Sequence, residues 1–336
     1  MGSMHSASMR AVFVERFGDP DVLELRETAA PVPGEREVAI DVAYAGVNYA
    51  EVMGRRGSMR YYQPPFVPGL EVSGTVRALG PGVEGLEVGQ PVAALTTDGG
   101  YAEVAIAPAS RTFALPAGLD LRAGAAFPVL GPTGWALVHE AARLRAGETV
   151  LVHAAAGGVG TVLGPIAKAA GAAQLLGVVS TPEKAAYASR FGYDAVFVGD
   201  GWEEAARAAT GGRGVDVVFD SIGGRTRELS LELLAPMGRL VLYGNATDEP
   251  ETGVSELVLR RDLRSVVGFS IVALANLDPA RFRAVGEAAL AGYARGELRI
   301  DVTEVVPLAQ APRAHALLEG RKSTGKLLLA VGASAE

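Results

Sequence analysis

The chain has 336 residues, more than one ordinary hydrophobic core accommodates, which suits about two domains. Hydrophobic residues make up 49% and charged residues 21%, the composition of a globular rather than a disordered protein. The formal net charge of −7 gives no electrostatic reason to bind nucleic acid or an anionic membrane. Cysteine is absent, which excludes disulfides, thiol nucleophiles and cysteine zinc sites.

The first eight residues carry neither a basic cluster nor an apolar stretch. We interpret 1–8 as an added leader before a natural start at Met9. No run reaches the roughly 18 uncharged apolar residues that a membrane span needs. We therefore expect a cytoplasmic protein that makes no membrane contact.

Residues 10–125 are rich in valine, proline and glycine. Short alternating runs, such as 37–42 and 72–78, are separated by turn residues such as Asp98-Gly-Gly100. This pattern predicts short antiparallel strands in a compact, barrel-like domain.

The segment Thr149-Val-Leu-Val-His-Ala-Ala-Ala-Gly-Gly-Val-Gly160 predicts a buried strand, a tight turn and the start of a helix. Ala155, Gly157 and Gly160 have the dinucleotide-binding spacing, with the first glycine replaced by alanine. Gly157 allows the backbone to approach a pyrophosphate, and the N–H groups and dipole of the helix favour phosphate there. The cofactor-binding residues predicted in this turn are Ala156, Gly157, Gly158, Val159 and Gly160.

From about residue 130 onward, strands and helices alternate at the spacing of βαβ units. Strands are predicted at 150–154, 174–179, 195–198, 215–220, 239–243 and 263–269. With crossover helices between them, they predict one doubly wound parallel sheet. The tail returns to the first style, with strands at 302–306 and 326–331.

Further motifs follow one another along the chain. They are Gly18-Asp-Pro-Asp-Val-Leu23, Gly46-Val-Asn-Tyr-Ala-Glu51, Pro65-Phe-Val-Pro-Gly-Leu-Glu71, Asp220-Ser-Ile-Gly-Gly224, Tyr243-Gly-Asn245 and Gly325-Lys326. In these motifs the chain resembles the medium-chain dehydrogenase/reductase superfamily, specifically its zinc-independent quinone oxidoreductase (zeta-crystallin-like) branch. The resemblance implies an α/β fold, with a doubly wound parallel Rossmann sheet inserted in a GroES-like, mostly antiparallel, barrel-like catalytic domain. The expected bounds are 9–128 and 266–336 for the catalytic domain and 129–265 for the inserted domain.

The superfamily also contains zinc alcohol dehydrogenases, and the resemblance implies that this chain differs from them. In those enzymes a cysteine lies in the segment that corresponds to Gly46–Glu51, and a histidine precedes the glutamate that corresponds to Glu71. The first segment here has no cysteine, and Leu70 takes the place of the histidine. We therefore expect no metal site.

The end of the second predicted parallel strand points to NADPH. NAD-selective folds usually carry an acidic residue there, whereas this chain has Ser180, followed by Thr181 and Pro182 as a helix cap and first residue. A cation in the first helical turn, as at Lys184, is disfavoured by the helix dipole unless a phosphate lies beside it. The resemblance implies that Lys184 and Arg321 bind the 2′-phosphate.

The resemblance also assigns candidates around the nicotinamide. Asn48 is expected to face it and to donate its amide to a substrate oxygen; the alternative is a turn residue bonded to its own backbone. Tyr61 and Tyr62 are candidate proton donors, or else buried packing residues. Thr133 is expected beside the nicotinamide, and Asn245 is expected to hold the cofactor after the fifth parallel strand.

Without a zinc ion to polarise a carbonyl, an acceptor with its own conjugated electron sink is favoured. The sequence therefore predicts an NADPH-dependent reductase of a quinone or an α,β-unsaturated alkene. One alternative is a pathway-specific enoyl or enone reductase, or tailoring enzyme, acting on a natural-product or thioester intermediate. Another is an NADPH-binding protein with a structural or RNA-binding role.

The sixth predicted parallel strand, 263–269, would leave an apolar edge exposed at the end of the sheet. Such an edge favours aggregation unless it is covered or paired. The resemblance implies that it pairs with its symmetry mate, so we expect a homodimer.

Overall fold

The computed structural model describes residues 8–59, 62–247, 249 and 253–331. The predicted leader lies outside these residues apart from Ser8, and so does the candidate proton donor Tyr61. The chain forms two compact units. The first consists of the described parts of Met1–Val129, Ala275–Gly286 and Ile300–Glu336, and the second of those of Leu130–Leu274 and Glu287–Arg299. The domain bounds set from the sequence stay a prediction beside these.

The strands are β1 (Ser8–Val14), β2 (Leu23–Ala29), β3 (Glu37–Val47), β4 (Glu71–Leu79), β5 (Pro91–Leu95), β6 (Val104–Pro108), β7 (Thr112–Ala114), β8 (Thr149–His153), β9 (Gln174–Val179), β10 (Ala195–Val198), β11 (Val215–Asp220), β12 (Leu234–Leu242), β13 (Ser265–Gly268), β14 (Val302–Pro307) and β15 (Lys326–Ala330).

The helices are α1 (Tyr49–Arg56), α2 (Leu121–Gly124), α3 (Phe127–Ala136), α4 (Gly158–Ala169), α5 (Pro182–Ala188), α6 (Trp202–Ala209), α7 (Gly224–Leu233), α8 (Glu256–Arg261), α9 (Ile271–Leu277), α10 (Pro279–Ala294) and α11 (Ala311–Glu319). Across the described ranges, none is both long and apolar enough to span a membrane.

The first unit is built on an open sheet with the order β14-β15-β3-β4-β5-β7, with β6 also paired to β3. Its neighbours are antiparallel apart from β14 and β15, and β1 and β2 form a separate hairpin. Among the described strands the pairing path ends at β14 and β7, so the sheet is not a closed barrel. Val38, Ile40 and Val42 alternate along β3 and face the main core, as the period of a strand requires.

The second unit contains a six-stranded parallel sheet with the order β10-β9-β8-β11-β12-β13. The winding therefore reverses beside β8, and ligands bind such sheets outside the carboxyl ends of the strands at that point. The doubly wound parallel fold predicted from the sequence is confirmed. The last strand is shorter than the predicted 263–269, and it starts later because Leu263 has a left-handed backbone with φ of 53°.

Candidate active site

The glycine-rich turn joins β8, which is buried along its whole length, to α4. Ala154 begins the turn with a positive φ of 51°, a conformation that is strained for a residue other than glycine. A Cβ at Gly160 would lie 2.5 Å from the carbonyl oxygen of Ala154 and 2.6 Å from that of Ala155. Only glycine therefore allows α4 to begin so close to the end of the strand.

The N-terminus of α4 suits an anionic ligand. Its N-cap is Gly157, so no side chain caps the helix, and Gly157 and Gly158 are partly exposed. A Cβ at Gly157 would approach only the carbonyl oxygen of Ala154, at 3.2 Å. The first N–H groups of a helix have no intrahelical acceptor and carry the positive end of its dipole, which is the arrangement that binds phosphate.

The end of β9 lies at the same edge of the sheet, because β8 and β9 are parallel neighbours with His153 opposite Val178. Thr181 caps α5 as predicted: its Oγ1 accepts from the backbone N–H of Lys184 at 3.3 Å, and Pro182 is the first helical residue. Ser180 is exposed. The structure therefore brings Ser180 and Lys184 to the carboxyl edge that carries the glycine-rich turn.

Thr133, in α3, provides a second polar group in this unit. The residue is only 5% exposed, and its Oγ1 has no hydrogen-bond partner within the described residues. A buried hydroxyl without a partner is unfavourable, and a polar group of a bound ligand would satisfy it. Thr133 therefore remains a candidate for contact with a bound ligand.

A buried ion pair fixes the loops that follow β11 and β12. Asp220 accepts from the backbone N–H of Ile222 at 2.7 Å and from Arg227 Nε at 2.8 Å. Arg227 also donates to the carbonyl oxygen of Gly244 at 2.7 Å. One guanidinium therefore joins the end of β11, α7 and the loop after β12.

Asn245 belongs to that second loop. Its Nδ2 donates to the carbonyl oxygen of Glu249 at 2.9 Å, and its Oδ1 accepts from Thr247 at 3.3 Å. A Cβ at Gly223 would lie 1.9 Å from Asn245 Oδ1, so glycine is required there. The structure thus holds Asn245 at the carboxyl edge, although both ends of its amide already have partners within its own loop.

In the first unit, Asn48 is the N-cap of α1. Its backbone N–H donates to Glu51 Oε2 at 3.0 Å, which is one half of a capping box. Its side-chain Nδ2 donates to Glu51 Oε1 at 3.2 Å and to Glu71 Oε1 at 3.1 Å. Asn48 is therefore a helix cap that is also bonded to two carboxyl groups.

Lys326 completes this network, and the pairing of the strands explains why. β4 and β15 flank the end of β3, so that Glu71 and Lys326 begin the strands on either side of it. The ammonium of Lys326 donates to Asn48 Oδ1 and to Glu71 Oε1. A Cβ at Gly46 would lie 2.3 Å from Glu71 Oε1, so glycine leaves the room that this carboxyl occupies.

The carboxyl groups are strongly perturbed. Burial raises the pKa of Glu51 to about 7, against the opposing effects of the Lys326 ammonium and of hydrogen bonds from Leu70 and Asn48. Burial also raises the pKa of Glu71. Burial and the two nearby carboxyl groups raise the pKa of Tyr101 well above its ordinary value.

Tyr101, which is close enough to the two carboxyl groups to feel their charge, belongs to a second buried cluster. Its hydroxyl lies 3.2 Å from His315 Nε2, and His315 Nδ1 accepts from Arg55 Nε at 3.4 Å. Arg55 is fully buried and also donates to Glu319. Burial and the Arg55 guanidinium lower the pKa of His315 to about 3, so this histidine is neutral near neutral pH.

Of the other predicted residues, Tyr62 is buried and its ring stacks on Phe66 with centroids 4.6 Å apart. Arg321 follows α11 with a left-handed backbone, φ 52°, and its side chain is exposed.

Asn48, Tyr62 and Arg321 belong to the first unit, and the other described candidates belong to the second. His153 and His315 are buried, and in the described ranges no group of three or more His, Cys, Asp and Glu residues could hold a metal ion.

The sequence did not single out Arg227, or the roles of Glu71 and Lys326. The available signal was positional, since Glu71 directly precedes the predicted run 72–78 and Lys326 begins the predicted strand 326–331, each within a motif of the family resemblance. Arg227 follows Asp220 by one strand-to-helix turn.

Two family models match the chain. "Alcohol dehydrogenase GroES-like domain" matches residues 34–117, and "Zinc-binding dehydrogenase" matches residues 158–291. The first match lies in the unit with the open antiparallel sheet, and most of the second lies in the unit with the parallel sheet.

Individual proteins match over nearly the whole chain. The quinone oxidoreductase of Pseudomonas aeruginosa is 36% identical over 321 residues, which cover 93% of this chain and 97% of that protein. A 2-haloacrylate reductase of a Burkholderia species is 32% identical over 95% of this chain and 98% of that protein. The crystal structure of Escherichia coli quinone oxidoreductase complexed with NADPH has a TM-score of 0.87 and 31% identity, covering 96% of this chain and 100% of that one.

The ion pair of Asp220 and Arg227 yields a stability prediction. Asp220→Asn keeps the shape of the side chain but leaves the guanidinium without its buried counter-charge, which should lower the free energy of unfolding by about 3 kcal/mol. Glu228→Gln is the matched control on the same helix as Arg227, because it breaks only the exposed pair with Arg225 and should leave the free energy of unfolding nearly unchanged. Urea denaturation of both variants measures the difference, and equal losses would contradict the stabilising role of the buried pair.

Proposed function

This chain belongs to the medium-chain dehydrogenase/reductase superfamily, as an oxidoreductase of the quinone oxidoreductase type, and from that premise we propose that it is an NADPH-dependent, zinc-independent reductase. Its proposed acceptor is a quinone or an activated, α,β-unsaturated alkene. The observation that carries the proposal is the uncapped N-terminus of α4 at the carboxyl edge of the parallel sheet.

The residues of the second unit fit a dinucleotide. The N-terminal N–H groups of α4 would bind the pyrophosphate, and Gly157 leaves room for its approach. Thr133 would give its unpartnered hydroxyl to the cofactor, and Asn245 would bound the site at the end of β12. The solved complex of the Escherichia coli relative with NADPH supports this assignment.

The choice of NADPH over NADH rests on charge. The residue after β9 is Ser180 rather than an acidic residue, and Lys184 lies in the first turn of α5, close to the positive end of the helix dipole. A 2′-phosphate would offset that unfavourable position. Arg321 is the second proposed phosphate ligand, on the strength of the family resemblance.

When bound, NADPH supplies the hydride. A quinone or an activated alkene carries its own electron sink, so the chain has only to donate a hydrogen bond or proton to the oxygen on which charge develops. Asn48 and Tyr62 are the proposed donors, and Tyr61 remains a candidate outside the described residues. The lack of cysteine and the leucine at position 70 support zinc independence.

Both acceptor classes have support among the relatives. Quinone oxidoreductase favours the first, and 2-haloacrylate reductase, a reductase whose acrylate substrate carries a carbon–carbon double bond, favours the second. A dedicated enoyl, enone or natural-product reductase is a narrower form of the second. A structural or RNA-binding role is less favoured, because the net charge of −7 opposes RNA binding. A cytoplasmic location stays a prediction.

The function is tested by steady-state oxidation of NADPH against a panel of quinones, enones, haloacrylates and enoyl thioesters. We expect saturable turnover with at least one class, unchanged after prolonged chelation. NADPH oxidation that no acceptor accelerates above the buffer rate would refute the proposed activity.

The cofactor preference is tested by Lys184→Ala. Loss of a charge-assisted contact to the 2′-phosphate should weaken NADPH binding by about 1.5–3 kcal/mol and leave NADH binding nearly unchanged. Lys168→Ala is the control, because Lys168 pairs with Asp194 at the other end of α4. Fluorescence titration measures both cofactors, and equal affinities of the unmodified protein for NADPH and NADH would contradict the assignment.

We also propose a homodimer that pairs through β13, the edge strand of the parallel sheet. Phe269 N–H donates to the carbonyl oxygen of Leu242, so alternate residues face β12 and the N–H of Val266 points to the open edge. Val266→Pro removes this outward donor and should weaken the dimer. Val196→Pro, on the opposite edge strand β10, is the control. Light scattering at micromolar concentration tests the proposal, and an unmodified protein with the mass of one chain would refute it.

A further inference from the structure

The network at the end of β3 contains more buried negative than positive charge when it is fully ionised. Glu51, Glu71 and Lys326 are 1%, 0% and 3% exposed. A single ammonium thus faces two carboxyl groups that have almost no contact with water. An uncompensated buried charge is strongly unfavourable, so one carboxyl group is favoured to keep its proton.

The ammonium also fixes the orientation of the Asn48 amide. Lys326 donates to Asn48 Oδ1 and to Glu71 Oε1. A flipped amide would direct its NH₂ group at the ammonium, donor against donor, and is therefore excluded. Nδ2 is consequently held toward the carboxyl groups.

Asn48 is the member of the network through which a ligand can be reached, because it is partly exposed while its three charged partners are buried. Its Nδ2 bonds to Glu71 and Glu51 are 3.1 and 3.2 Å long. Hydrogen bonds from N–H donors to oxygen in proteins are most often about 2.9–3.0 Å long. These two bonds are comparatively weak, so the amide hydrogens can be shared with a stronger acceptor.

An oxygen that gains negative charge during hydride transfer is such an acceptor, provided that the groups behind the amide do not repel it. Lys326 cancels the charge of Glu71, and a proton on Glu51 removes the other negative charge. If Glu51 and Glu71 were both ionised, their charges beside the amide would instead oppose the developing negative charge.

We propose that Lys326 is a positioning residue of the reductase: it fixes the orientation of the Asn48 amide, whose hydrogens are shared with the reacting oxygen, and keeps the network neutral when the Glu51 carboxyl is protonated. This inference rests on the proposed function. To the proposed function it adds Lys326, which acts through Asn48, and Glu51, whose ionisation controls how well the Asn48 amide can donate.

The surroundings of Glu51 agree with this role. The charged and titratable groups around it are Lys326 on β15, Glu71 on β4 and the buried phenol of Tyr101; next to Tyr101 lie Tyr62, His315 and Arg55. The pKa of Glu51 is raised to about 7 by burial and is lowered against that trend by Lys326. Activity should therefore fall as the pH rises through about 7.

The sign of the effect of Lys326 follows directly. Removing the ammonium removes a cation that stabilises ionised Glu51, so the carboxyl should keep its proton to higher pH. Lys326→Met should therefore move the alkaline limb of kcat upward by about one pH unit. At the same time kcat on the plateau should fall by roughly tenfold or more, because the amide is no longer held.

The experiment measures kcat, KM and the Kd of NADPH against pH for the unmodified protein and its variants. Lys326→Arg retains the charge and should keep the limb near its original pH. Glu71→Gln/Lys326→Met removes the pair together, so it folds without a stranded partner, and it should also lose kcat. Leu329→Ala, in the core along the same strand, should lower Tm but leave the limb and kcat unchanged. The Kd of NADPH should stay constant throughout.

Two other outcomes would overturn the inference, and they can be told apart. A Lys326→Met variant with an unmoved or acid-shifted limb, or with a kcat within twofold of the original, would overturn the positioning role while the proposed function stands. An unmodified protein that reduces no acceptor would overturn the proposed function, and this inference with it.

Discussion

Two buried carboxyl groups and one buried ammonium meet at the end of β3, and the local structure around the candidate donor depends on their balance. Burial disfavours each of these charges, and only their mutual contacts and hydrogen bonds make the arrangement stable. Gly46 has no side chain because the Glu71 carboxyl fills that space. Glu51 joins the network to the start of α1 through the capping box. The position of the Asn48 amide is thus a consequence of how three charges are kept out of water.

In the second unit, the loops at the predicted cofactor site are held by fewer buried charges. At the carboxyl edge of its parallel sheet, glycine permits α4 to start directly on the end of β8, and the helix offers its N–H groups where no side chain caps them. Asp220 and Arg227 are balanced one to one, and the guanidinium also satisfies a backbone carbonyl of the next loop. Loops that would otherwise be free to move are thereby held beside the predicted cofactor site.

The sequence predicted well whatever depends on local patterns. The strand, turn and helix at 149–170 and the Thr181 cap follow from spacing and residue type over a few positions. Contacts between residues that are far apart in the sequence could not be predicted from local patterns. Lys326 and Glu71 are 255 residues apart, so only the pairing of β15 and β4 on either side of β3 brings them together. The late start of β13 could not be predicted either, because the apolar side chain of Leu263 gives no sign of its left-handed backbone. The pattern of strands in the first unit is the same for an open sheet and for a closed barrel, so the sequence did not distinguish them.

The central claim, that the buried network retains a proton near neutral pH, can be measured without turnover. Protein labelled with carbon-13 at its glutamate carboxyl groups can be titrated by NMR, with Glu51→Gln assigning the resonance of Glu51. We expect this carboxyl to titrate at about pH 7, far above the ordinary value of 4.5, and to titrate at higher pH in Lys326→Met. A midpoint in the ordinary glutamate range would show that the network carries its full charge near neutrality. That result would contradict the claim that a retained proton lets the Asn48 amide donate to an oxygen that gains negative charge.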